Sequence, residues 1–216
     1  MAIFRRLLSS AFVCLLLAAS ARVNAAGGES ITFRKIFKSS FPEFTEIKVD
    51  ASGAGTSDIR QLSDDPSPRP FHLEDSLVQQ IFSLAQKLHD FNGVDVEVHR
   101  RIANLGLKTF VYQNGAESHQ MSFNYTSNPT ARKLLSIFEG LATQQTDLSD
   151  LQNAMRYDRL GVNDVLLRVE TDYGQNLYPE PAVFLSPLDQ LAGDDHFVDI
   201  ARKRARALAG RIRAAH

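Results

Sequence analysis

One cysteine, Cys14, is the whole thiol content of the 216-residue chain, and it sits within an apolar run near the N-terminus. That segment reads MAIFRRLLSSAFVCLLLAASARVNAAGGES: two arginines, an apolar stretch from Leu7 to Ala19, then small residues around Val23-Asn24-Ala25. Such a pattern predicts a secretory signal peptide over residues 1–25, cleaved after Ala25. The run is shorter than the roughly 20 apolar residues a spanning helix needs, and Arg22 closes it, so no stable membrane insertion is expected after cleavage. Val13 precedes Cys14 where a lipoprotein signal needs a small residue. Without its cysteine the exported chain has neither disulfides nor thiol catalysis, and an apolar core has to hold it together alone. The expected location is the bacterial periplasm or the medium outside the cell.

Other absences narrow the chemistry. There is no HExxH, no Cys/His cluster and no DxDxDG loop, and none of the six histidines, His72, His89, His99, His119, His196 and His216, pairs with another at ligand spacing. No metal site and no cofactor are therefore expected. No GxSxG elbow occurs, so a nucleophilic serine has no marker, and Ser52-Gly53-Ala54-Gly55 lacks the glycine pattern and following helix of a phosphate loop. The adjacent acids Asp64-Asp65 and Asp194-Asp195 suit a proline-rich linker and a helix start. No catalytic residue is assigned. Losing Arg5, Arg6 and Arg22 with the signal takes the formal net charge from −1 to −4, which argues against a nucleic-acid partner.

What is present is a mixed α+β pattern. Ile31–Lys38 and Glu43–Val49 alternate as strands, and Ser52–Gly55 turns the chain back into Thr56–Leu62 as a third. Ser63–Pro70 reads as a linker. Phe71–Phe91 is the clearest amphipathic helix: Leu77, Ile81, Leu84, Leu88 and Phe91 recur at spacings of four and three, with Asp75 or Ser76 as N-cap and Asn92-Gly93 as the left-handed stop. Gly93–Ala103 is a strand or an extended connection. Lys108–Gln113 and Glu117–Thr126 flank Asn114-Gly115, a type I′ hairpin signal, and put Phe110, Tyr112, Met121, Phe123 and Tyr125 toward the central helix. Asn128-Pro129 opens a helix to Leu141. The polar run Thr143–Thr146 reads as a boundary. Beyond it Leu148 to Tyr173 form one kinked helix or two, Asn176–Pro187 is a strap, and His196–Arg213, capped by Asp194 or Asp195, is a terminal helix.

The predicted fold is an antiparallel sheet of four to five strands with two packed helices over residues 30–142, followed by a helical C-terminal region, 147–216, packed on it. Six basic residues of the terminal helix (Arg202, Lys203, Arg204, Arg206, Arg211, Arg213) against the acidic Asp147–Asp172 segment predict docking of one on the other. The candidate binding element is His99-Arg100-Arg101, where an arginine pair can hold an anionic group bidentately.

Between Ile31 and Ala142 the order is strands, helix, hairpin, helix. The passage KTFVYQNGAESHQMSFNYTSNPTARKLLSIFEGL from Lys108 to Leu141 carries strand, tight turn, strand and a Pro-started amphipathic helix. In this it resembles the small emfourin-type bacterial inhibitors of thermolysin-like metallopeptidases. The resemblance implies a protein partner, a peptidase, and transfers no inhibitory residue; the segment 147–216 has no counterpart in such short inhibitors. The whole chain also resembles uncharacterised exported bacterial proteins. The expected function is binding, with a peptidase or an envelope protein as partner; the alternative is a hydrolytic enzyme whose site is assembled from distant residues.

Overall fold

The computed structural model describes residues 28–215. The expected signal peptide over residues 1–25, with Cys14, lies outside them, as does His216. Six strands form one antiparallel sheet in the order β4-β3-β2-β1-β5-β6. They are β1 (Ser30–Ile36), β2 (Phe44–Asp50), β3 (Ala54–Arg60), β4 (Arg69–His72), β5 (Leu107–Asn114) and β6 (Glu117–Phe123). The class is the expected α+β, with one strand more than the four to five predicted. Alternation puts Ile31, Phe33, Ile47, Val49, Phe110, Tyr112, Met121 and Phe123 on one buried face. The register sets Phe33 between Ile47 and Phe110, and Phe110 against Met121.

The extra strand is β4, inside the segment expected to be linker and helix start. Pro70 lacks an N–H, which an edge strand tolerates, and Phe71 pairs with Gly55, whose missing side chain leaves room for the ring. Residues Phe71–Leu73 of the predicted helical stretch thus lie outside helix α1 (Asp75–Lys87), whose N-cap is Glu74, just before the predicted Asp75 or Ser76. Its end also differs: His89, Asp90 and Phe91 all have positive φ (52°, 49° and 68°), so the reversal precedes Asn92-Gly93. Left-handed backbone costs roughly 1–2 kcal/mol per residue. Here it swings the fully buried Phe91 ring to 5.7 Å from Phe110, where apolar burial offsets the cost.

Residues 92–106 form an extended connection, bridged to the chain after β6 through Glu97 and Thr126. The β5–β6 loop turns at Gly115, with Asn114 still paired to Glu117, so the tight turn is shifted by one residue from the predicted Asn114-Gly115 pair. Glycine at the first loop position is the demand of a type II′ turn. Tyr125 is 37% exposed, outside the predicted buried stripe.

Helix α2 begins as expected, with Asn128 Oδ1 accepting from the Thr130 and Ala131 amides at 2.9 and 3.1 Å, but it runs from Pro129 to Tyr157. Thr143–Thr146 does not break it, because the hydroxyls of Thr143 and Thr146 donate back to the Glu139 and Ala142 carbonyls one turn earlier. Its first half packs Leu134, Phe138 and Leu141 with α1 against the sheet. Its second half gives Leu151 and Ala154 to another core, built with α3 (Val162–Gly174), α4 (Leu185–Gly193) and α5 (Asp199–Ala214). The predicted strap thus shortens to 176–180, followed by a 3-10 turn (Pro181–Phe184) and α4. The terminal helix starts at Asp199 with Val198 as N-cap, not Asp194 or Asp195. It docks as expected: Arg204 and Arg211 both reach the Glu170 carboxylate of α3, Arg211 at 2.6 Å.

Candidate functional site

The inner face of the sheet changes character toward the ends of β1 and β3. One row is Phe33 beside Ile47, both buried; the next is Lys35, Thr45 and Ile59 in register. That row offers less bulk, and α2 continues past it toward the second core. Lys35 Nζ bridges the gap by an ion pair to Glu139 of α2 at 2.9 Å. The result is a cleft of about 880 Å³. Phe33, Thr45 and Ile59 form its floor, Ala142 and Thr146 of α2 one wall, and Phe41, Pro42, Gln61 and Asp64 its rim. Phe41 is 91% exposed. A narrower recess of about 200 Å³ shares Ile59, Thr146 and Asp150 with the cleft and extends it along α2 past Ser67 and Arg69.

The end wall is charged: Asp147 and Asp150 from α2, Arg168 and Asp172 from α3. Arg168 Nε donates to Asp147 Oδ1 at 2.8 Å and Nη2 to Asp150 Oδ2 at 2.6 Å. The buried Tyr178 hydroxyl donates to Asp147 Oδ2 at 2.7 Å. Both Asp147 oxygens are thus occupied, as its 4% side-chain exposure requires. Burial, and then the adjoining Asp147 carboxylate, push the Tyr178 hydroxyl beyond the ionising range, so it stays a donor. The Asp172 carboxyl is raised, first by burial and then by its hydrogen bond with Asp147. Asp172 belongs to none of the ion pairs among the described residues.

On the other side of α2 a second cavity of about 500 Å³ lies between α1, the β5–β6 hairpin and the strap. Lys108 reaches it, but its ammonium is already held by the carbonyls of Leu105, Gly106 and Asn124 at 2.8–3.0 Å, closing the 92–106 connection onto the sheet. Burial, and then Lys35, lower its pKa.

His99, Arg100 and Arg101 are exposed on that connection and line none of these cavities. His99 Nε2 lies 2.7 Å from Asp95 Oδ2, and neither arginine makes an ion pair among the described residues. Asp194, Asp195 and His196 bring ligand-type atoms within 4.8 Å of one another. The Asp194 carboxylate accepts from both the His196 amide and ring, so the shape of this exposed turn accounts for the arrangement. Asp147, Asp150, Arg168 and Asp172 entered the sequence reading only as charges of an acidic segment. A sharper signal was there: Asp147 falls in the stripe Phe138, Leu141, Leu151, Ala154, a polar residue at a core position. Phe41 carries no such signal.

No protein-family model and no curated protein matches the chain.

Proposed function

We propose that the protein is an exported binding protein and that the cleft between the sheet and α2 is its ligand site. The observation that carries this reading is a cleft of ligand size whose rim holds a phenylalanine that is 91% exposed. Binding requires no catalytic residue type, in keeping with a sequence that has no nucleophile motif. The partner is a peptidase or an envelope protein, the first being the class that the emfourin resemblance suggests. The test is affinity capture from the culture supernatant and envelope of the producing cells, with the wild-type protein and Phe41→Asp side by side. A partner held by the wild type and lost by the variant supports the reading. One held equally by both rules the cleft out.

Hydrolysis is the second reading, favoured by the raised Asp172 carboxyl beside Asp147 in the cleft, an arrangement suited to general acid work. It requires turnover of a glycoside, ester or peptide substrate by the wild type and none by Asp172→Asn. Absence of turnover across such a panel leaves binding alone.

A further inference from the structure

Resting on that reading of the cleft, we infer that its ligand is an organic cation: an ammonium or guanidinium group set against Asp172 and Asp150, on an apolar stem lying between Phe41 and Ile59. The pairing of charges inside the cleft decides the sign. Each basic side chain on its wall is already held: Lys35 by Glu139 at 2.9 Å, Arg60 by Asp58 at 3.0 Å, and Arg168 by Asp147 and Asp150. An anionic ligand would have to share a cation whose charge one of these carboxylates already neutralises. The carboxylates, in contrast, are in surplus. Asp172 has no basic partner within ion-pair distance among the described residues, and the Asp150 side chain, 45% exposed, shares one oxygen with Arg168 and leaves the other open. A cation entering here meets one unpaired and one half-paired carboxyl in a partly desolvated recess, where attraction is screened less than at the open surface.

The apolar parts of the cleft fix the rest of the ligand. Phe33 and Ile59 make the apolar part of the floor, suited to methylene groups, with the Thr45 hydroxyl beside them. The Phe41 ring stands free at the mouth, where it can cover an alkyl stem or face a second positive charge. An alkyl ammonium of this kind has two sources, a free polyamine or a lysine side chain of a protein.

Calorimetric titration of the purified protein at physiological salt tests the inference with three probes: spermidine, N-acetyl-Ala-Lys-Ala-amide and propionate. Saturable binding of spermidine or the lysine peptide is expected, with no binding of propionate. The tighter of the two cations names the source. Asp172→Asn and Phe41→Ala should each weaken the cation by about tenfold, the loss of one charge-assisted contact or one aromatic contact. Phe41 is too exposed to support the core, and an unchanged melting temperature of Phe41→Ala would verify that the variant is folded. A loss in either variant supports the inference. It is overturned if neither cation binds, if propionate binds better, or if both variants bind as the wild type does. Partner capture that depends on Phe41 without any cation binding keeps the cleft as the binding site and overturns the ligand class alone.

Discussion

A carboxylate at 4% side-chain exposure in the middle of a helix costs on the order of several kcal/mol unless its oxygens are bonded, and Asp147 meets that condition with Arg168 on one oxygen and Tyr178 on the other. Tyr178→Phe removes the second donor without changing the ring. It is expected to lower stability by about 1.5–3 kcal/mol, the range for a hydrogen bond to a charged group, read from denaturant midpoints. Asp172 gives the opposite sign. Its folded pKa lies above the ordinary 3.8, so folding prefers the protonated acid: its charged form costs stability at neutral pH, and that cost disappears as pH falls through the folded value toward 3.8. Asparagine imitates the protonated acid and can still donate to Asp147. Asp172→Asn should therefore melt higher than the wild type at pH 7, with the advantage shrinking to nothing below pH ~3.8. Melting curves across that range check it, and an advantage independent of pH would mean that the gain comes from elsewhere. Little of this was legible in the sequence. Asp147, Arg168 and Asp172 are charges of an acidic segment until the loop at 158–161 folds α3 back on α2 and gives them a common direction.

Elements were more legible, because periodicity survives without tertiary information. The stripe Leu77, Ile81, Leu84 is buried as its spacing demands, and Leu84→Ala is expected to cost about 2–5 kcal/mol. What the pattern misplaced were ends. The four-residue β4 is too short to show alternation, and Thr143–Thr146 looked like a boundary because hydroxyls that bond back to their own helix cannot be told from loop residues in a sequence. Glycine in a helix was ambiguous in the same way. Gly140 lies in α2 where the strap crosses it, and a Cβ there would sit 2.6 Å from the Leu177 carbonyl oxygen. In α5, Gly210 has nothing within 4 Å. Alanine gains up to about 1 kcal/mol over glycine in a helix interior, while overpacking costs about 1–3 kcal/mol. Gly210→Ala should thus raise the melting temperature and Gly140→Ala should lower it. Equal shifts would show that the strap yields to the added methyl.

At the scale of the whole molecule two apolar cores share one helix. The first lies between the sheet, α1 and the start of α2; the second gathers α3, α4 and α5 around the end of α2. Polar ties reinforce the join. The Glu180 carboxylate of the strap accepts the Glu74 amide at the start of α1 at 2.8 Å while its own amide donates to the buried Gln144 at 2.9 Å. Burial raises the pKa of Glu180, so at neutral pH the tie is held against a desolvation cost rather than given freely. A helix of 29 residues crossing both cores cannot lose one end without fraying toward the other, since isolated helices of this kind draw their stability from packing. The cores should then unfold together. Leu84 belongs to the first and Leu208 to the second, and both are buried. Leu84→Ala and Leu208→Ala are expected to shift one common transition, with helix signal by far-ultraviolet circular dichroism and tyrosine environment by fluorescence coinciding in each variant. Deleting the residues after Asp195 removes Ala205, Leu208 and Ile212 from the second core and strands Glu170 without its two arginines, so the melting temperature of the whole chain should fall. If instead Leu208→Ala splits the curve, with the second core melting first and the sheet core at its wild-type temperature, α2 connects two independent folding units and does not couple them.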